Sequence, residues 1–243
     1  MAQKVRDAFM VQGRACEQLG SPFMAQLMPL IGKRLTKENA VGARCLDWEG
    51  EPGPSGNSVP LRLAGALHGL VLDGSIPTLA GVYPPNVTTD DMLWAEVERT
   101  IRVHETRILD WLGRAPQTNE VRRAAAIAAG IWWSLGEIGN RPLVLSELGA
   151  SAGLNLSLDR FSVAIDGVAH GPEDAIVQLV PEWRGALRPK PRPLNIVDRR
   201  GVDLAPLDAA DPEDALRLLA YLWPDQPERL TLTRAAIAVA STL

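Results

Sequence analysis

The chain has 243 residues, 46% of them hydrophobic and 22% charged, with a formal net charge of −4. That composition excludes disordered, collagen-like and fibrous architectures and leaves one large or two small globular domains. Two cysteines, Cys16 and Cys45, are too few for a disulfide framework and lack CxxC spacing, so a reducing, cytoplasmic setting is expected. The charge-free apolar run 124–135 falls short of the ~20 residues that span a bilayer, and the opening MAQKVRDAF has no hydrophobic signal core, so neither membrane insertion nor export is expected.

In chain order, Val5, Phe9, Cys16 and Leu19 recur at helical spacing. His68 lies among Leu61, Ala64, Leu67 and Val71 on another such face, between the Pro- and Gly-rich loops 50–60 and 76–89. Trp94, Val97, Ile101, His104, Ile108 and Trp111 alternate by three and four, which predicts one long helix with a single apolar stripe. Asp90 and Asp91 supply its N-cap and first-turn carboxylates, and Gly113 with Pro116 closes it. Gln117, Thr118, Asn119 and Glu120 then form a polar cluster entering an Ala-rich helix that runs to about Gly136. Capping accounts for part of that cluster; Gln117, Asn119 and Glu120, with His68, are also candidates to face a substrate.

At residue 142 the texture changes. PLVLSELGASAGLNLSLDRF (142–161) reads as a buried strand, a turn and a helix. Asp166-Gly167 predicts a hairpin between 161–165 and 168–170, and 176–180 is a further short strand. WRGALRPKPRPLNIVDRR (183–200) clusters Arg184, Arg188, Lys190, Arg192, Arg199 and Arg200. Three prolines break it and Trp183 is its sole aromatic, so it reads as a solvated connector and no nucleic-acid partner is expected. Weaker strands are expected at 196–197 and 202–204. Asp211 ahead of Pro212, Glu213 and Asp214 starts a helix, and another begins at Pro227. The expected fold class is α and α/β, a helical domain (1–141) packed on a small Rossmann-like, methyltransferase-like segment (142–243).

The chemistry concentrates in Glu147-Leu148-Gly149-Ala150-Ser151-Ala152-Gly153-Leu154-Asn155. Small residues at 149, 151 and 153 let a ligand approach the backbone, and the Glu147 carboxylate suits ligand hydroxyls or an ammonium group. This E-x-G-x-S-x-G pattern resembles motif I of S-adenosylmethionine-dependent methyltransferases, with Ser151 at the middle glycine. The resemblance implies S-adenosylmethionine as cofactor, held by Glu147, Gly149, Ala150, Ser151, Gly153 and Asn155. It further implies Asp203 as a ribose-binding acid ending the next strand, with the hairpin and basic stretch inserted between. The same letters satisfy G-x-S-x-G, the nucleophile elbow of α/β-hydrolases. Downstream only His170 could be the base, with Asp159 or Asp166 as its acid, and Glu147 would burden a developing oxyanion. A third reading is a non-catalytic ligand-binding or interaction protein built on a tight turn. No HxxxH or HExxH occurs, so no metal is expected.

Across nearly its whole length the chain also resembles a bacterial family catalogued as domain of unknown function 2332. The resemblance rests on LRLAGALHGLVLDG (61–74), PQTNEVRRAA (116–125), ELGASAGLNL (147–156), GVDLAPLD (201–208) and WPDQPERL (223–230). It implies no particular reaction. Family members extend farther at the C-terminus, which implies a truncated or reduced version here, with too few strands after Glu147 for a seven-stranded methyltransferase sheet.

Overall fold

The structure, a computed structural model, describes residues 1–242. In chain order the elements are α1 (Ala2–Gln18), α2 (Pro22–Arg34), α3 (Ala40–Leu46), α4 (Val59–Leu72), α5 (Pro77–Ala80), α6 (Asp90–Val103), α7 (Glu105–Leu112), α8 (Arg123–Ile138), β1 (Leu143–Leu148), a 3-10 segment (Leu154–Arg160), β2 (Ser162–Ile165), β3 (Val168–His170), β4 (Gln178–Leu179), β5 (Ile196–Val202), α9 (Pro212–Ala220) and α10 (Pro227–Ala240). The protein is mixed α/β, mostly helical, with two small sheets. No helix among the described residues is long and apolar enough to cross a membrane.

Two compact units emerge. The first comprises Met1–Gln117 and Leu216–Pro227, the second Thr118–Ala215 and Glu228–Leu243. The texture change at residue 142 and the compact boundary are therefore different things. Helix α8, apolar and helical like everything before it, belongs with the sheets because it packs on the 3-10 segment.

In the first unit, side-chain caps decide where helices begin. Ser21 Oγ accepts from Met24 N at 3.2 Å to start α2, and Asn39 Oδ1 accepts from Gly42 N at 2.8 Å to start α3. Helices α1 and α2 approach closely because each offers a glycine to the other's bulk. A Cβ on Gly13 would meet Pro29 Cδ at 2.8 Å, and one on Gly32 would meet Phe9 Cβ at 2.8 Å. The expected long helix over 90–112 is broken: His104, at φ −111° and ψ 30°, separates α6 from α7. Of the expected stripe Val97, Ile101, Ile108 and Trp111 are buried, while Trp94 and His104 are half-buried, so the stripe continues across a break that periodicity cannot register. Glu105 explains the new start, since its Oε2 accepts from Ala40 N at 2.8 Å and draws α7 to the N-terminus of α3. Thr89, rather than Asp90, caps α6.

Residues 216–227 complete that unit. Tyr221 fills a notch at Gly65, where a Cβ would stand 2.5 Å from its ring, and its hydroxyl accepts from Trp111 Nε1 at 3.0 Å. Asp225 accepts from Ser21 Oγ at 2.6 Å and Phe23 N at 2.9 Å, a carboxylate at the start of α2.

In the second unit β1 pairs with β5 in parallel, Glu147 opposite Gly201 and Leu148 opposite Val202. The segment between them makes its own sheet, in the order β3-β2-β4. The Asp166-Gly167 turn is found, both residues at positive φ (48° and 84°). Three expectations change. The two weak strands around Arg199 are one strand, the segment after the turn is 3-10 rather than α-helical, and β1 is not buried. With a single neighbouring strand β1 alternates between half-buried and exposed, Leu148 reaching 87% exposure, whereas parallel strands are ordinarily covered on both faces.

Candidate functional site

The turn that follows β1 alternates residues in the left-handed region: Gly149 at φ 69°, Ser151 at 54° and Gly153 at 67°. Serine has a Cβ that this conformation disfavours, so the surroundings must impose it. They do so from several directions. Gly149 N and Ala150 N both donate to Val202 O, at 2.8 and 3.1 Å, and Leu207 N donates to Ser151 O at 3.2 Å. Asp203 Oδ2 accepts from Ser151 N at 2.8 Å, while its Oδ1 accepts from Ala205 N at 2.9 Å. Gly201, opposite Glu147, leaves room for the turn: a Cβ there would lie 2.7 Å from Ala150 Cβ.

Asn119 closes the arrangement from the polar cluster ahead of α8. Only 3% exposed, it donates from Nδ2 to Ala150 O at 3.1 Å and accepts at Oδ1 from Leu154 N at 2.9 Å. It thereby serves as a remote cap for the 3-10 segment. Gly153 N donates to Ala150 O at 2.7 Å. The backbone donors of Gly149, Ala150, Ser151, Gly153 and Leu154 are thus used within the protein, unlike those of a phosphate-cradling loop.

What the loop leaves unsatisfied is on its side chains. Glu147 Oε2, Ser151 Oγ, both amide atoms of Asn155 and Ser157 Oγ are buried without a hydrogen-bond partner. Such groups are costly when left alone, and five such atoms fall on four residues between positions 147 and 157. Burial pushes the Glu147 carboxyl above the usual carboxylate range; the neighbouring Asn155 amide and the Arg123 charge pull the other way without cancelling it. Asn155, 2% exposed, approaches that carboxyl without reaching hydrogen-bond geometry. Glu147 and Asp203 stand at the carboxyl ends of adjacent parallel strands, where ligands of open α/β sheets are met.

The remaining candidates divide. Glu120 is engaged with Arg229 at 2.6 Å and accepts from Arg122 N at 3.2 Å. Gln117, half-buried, is the last residue of the first unit's long segment. His68 is buried within the first unit, its Nδ1 3.1 Å from the Ala220 carbonyl and its ring stacked near Tyr83. Sequence reasoning did not single out Ser157; its only signal is its place on the segment after the small-residue turn. Among the described residues no group of three or more His, Cys, Asp or Glu could hold a metal ion.

A family model described as "Uncharacterized protein conserved in bacteria (DUF2332)" matches residues 6–242. No curated protein and no solved structure matches the chain.

Proposed function

The chain belongs to this family of uncharacterized proteins conserved in bacteria, and from that premise we propose that the 147–155 loop binds S-adenosylmethionine or a closely similar adenosine-containing ligand, in a Rossmann-like, methyltransferase-like second unit. The observation that carries the reading is the orphaned cluster of Glu147 Oε2, Ser151 Oγ, the Asn155 amide and Ser157 Oγ. A carboxylate, two hydroxyls and an amide match a ligand rich in hydroxyl, amine and ring-nitrogen groups. Because the turn's backbone donors are already taken, a ligand without phosphates fits better than a nucleotide. The separate β3-β2-β4 sheet supports reading 161–195 as an insertion between two strands of the ligand-binding half, with Glu147 and Asp203 ending those strands.

When bound, the cofactor supplies a methyl group activated by its sulfonium, so the protein's task is to hold and orient partners in line. Glu147 and Asn155 accept from and donate to ligand hydroxyls or the ammonium group. Asp203 and Asn119 fix the turn so that Ser151 and the two flanking glycines present little bulk. A hydrolase reading gains nothing from the geometry, since no base lies within hydrogen-bond reach of Ser151 Oγ.

Thermal shift and isothermal titration of the full chain with S-adenosylmethionine and S-adenosylhomocysteine test this. Ligand at a hundredfold its Kd should stabilise the fold by about 2.7 kcal/mol. Glu147→Gln should weaken binding by about 1.5–3 kcal/mol, the range for hydrogen bonds to a charged group. Absence of any shift at millimolar ligand overturns the proposal. Fluorophosphonate labelling that disappears in Ser151→Ala would transfer the site to the hydrolase reading.

A further inference from the structure

A concavity in the same unit, of about 520 Å³, is lined by residues outside the 147–155 loop, among them Trp132 of α8, Leu158 and Asp159 of the 3-10 segment, Phe161, His170 ending β3, and Arg192. Its size and mostly apolar wall suit a small organic molecule. The segment after β3 reaches the cavity through Gly171, at φ 137°, where any Cβ would collide with the Phe161 carbonyl. On the other side Arg192 stands between Pro191 and Pro193, which restrict its backbone.

The polar groups on this wall are unbalanced. In the basic stretch Arg184 pairs with Glu182, Arg188 with Asp166, Arg199 with Asp159 and Arg200 with Asp198. Arg192 is half-buried, forms no ion pair among the described residues, and has its Nε without an acceptor. Trp132, 4% exposed, has its indole Nε1 likewise without an acceptor. Both atoms can only donate. Asp159, the acid on the wall, is held through both oxygens by Arg199 at 3.2 Å and does not serve them. What the wall lacks is an acceptor carrying negative charge.

We propose that this cavity is a binding site for a small organic carboxylate with an apolar body. Its carboxylate accepts from the Arg192 guanidinium and the Trp132 indole, and its body lies against Leu158, Phe161 and Val163. The sequence alone presents Arg192 as one more cation in a solvated connector. Its burial and lack of an ionic partner set it apart.

Isothermal titration of the full chain with 4-phenylbutyrate, against the uncharged 4-phenyl-1-butanol, tests the proposal. The carboxylate should bind at least about tenfold more tightly than the alcohol, and Arg192→Gln should remove that preference. Trp132→Phe, which keeps a ring and loses the donor, should weaken the carboxylate by about tenfold or less. Ala169→Trp, a substitution at an exposed position lining the cavity, should block both ligands without touching either donor. Equal binding of acid and alcohol, no heat at millimolar 4-phenylbutyrate, or unchanged binding in Arg192→Gln and Ala169→Trp would each overturn it.

Discussion

At the scale of single residues, Glu147 is pulled between ligand recognition and stability. Desolvation holds its carboxyl above the usual range, so the folded chain keeps that proton to higher pH than the unfolded chain does. The sign follows from linkage: its favourable contribution is present below the ordinary carboxylate pKa and is lost as pH rises through the elevated one. Glu147→Gln should therefore raise the melting temperature at neutral pH, with the gain shrinking as pH falls below about 4, where both states of the wild type take up the proton. Melting curves across that window decide it, and a variant less stable than wild type at neutral pH would refute the assignment. The same substitution weakens the proposed ligand, so stability and binding move in opposite directions at one atom. Ser151 has a related tension, a residue with a Cβ held at φ 54°. A motif with glycine at that position would relieve the strain and lose the hydroxyl.

Among the elements, the turn after β1 depends on a residue far from it in sequence. Asn119→Ala leaves Leu154 N, a buried backbone donor, without its acceptor, while Ala150 O loses one of its two donors and keeps Gly153 N. One orphaned buried donor costs about 1–3 kcal/mol. Urea unfolding should show a loss in that range or above it, and a change under about 0.5 kcal/mol, the size of a neutral surface substitution, would contradict the clamp. The turn itself was legible because small residues after an apolar run leave few alternatives, and the hairpin because Asp-Gly tolerates the positive φ that such a turn requires. Asn119 stood out in the sequence only as part of a polar cluster. Its role depends on which carbonyl it meets across a fold, and no local pattern encodes that. The break at His104 was hidden for the converse reason, since the apolar stripe continues across it and periodicity averages over a single residue's backbone. The orphaned cluster is a property of burial, and hydrophobic patterning reports burial of apolar side chains rather than of hydroxyls and amides.

For the molecule as a whole, the chain leaves the first unit at Gln117 and re-enters it at Leu216, within α9. Closing an excursion of roughly a hundred residues adds only a logarithmic entropy cost, about 0.6 kcal/mol for each doubling of its length, so the arrangement is tolerable at equilibrium. Its kinetic effect is larger, because long-range contacts slow folding. A chain ending at Gln117 lacks Tyr221 at the Gly65 notch, the acceptor for Trp111 Nε1, and Asp225 at the start of α2. It should keep helical far-ultraviolet dichroism, lose near-ultraviolet structure and bind hydrophobic dye. A sharp, native-like thermal transition in that fragment would show that 216–227 is dispensable. If it is not, the order of synthesis matters: the helices of 1–117 emerge from the ribosome roughly a hundred residues before the segment that completes them. Over that interval they would be clients for chaperones, with an apolar notch open until the tyrosine that fills it has been made.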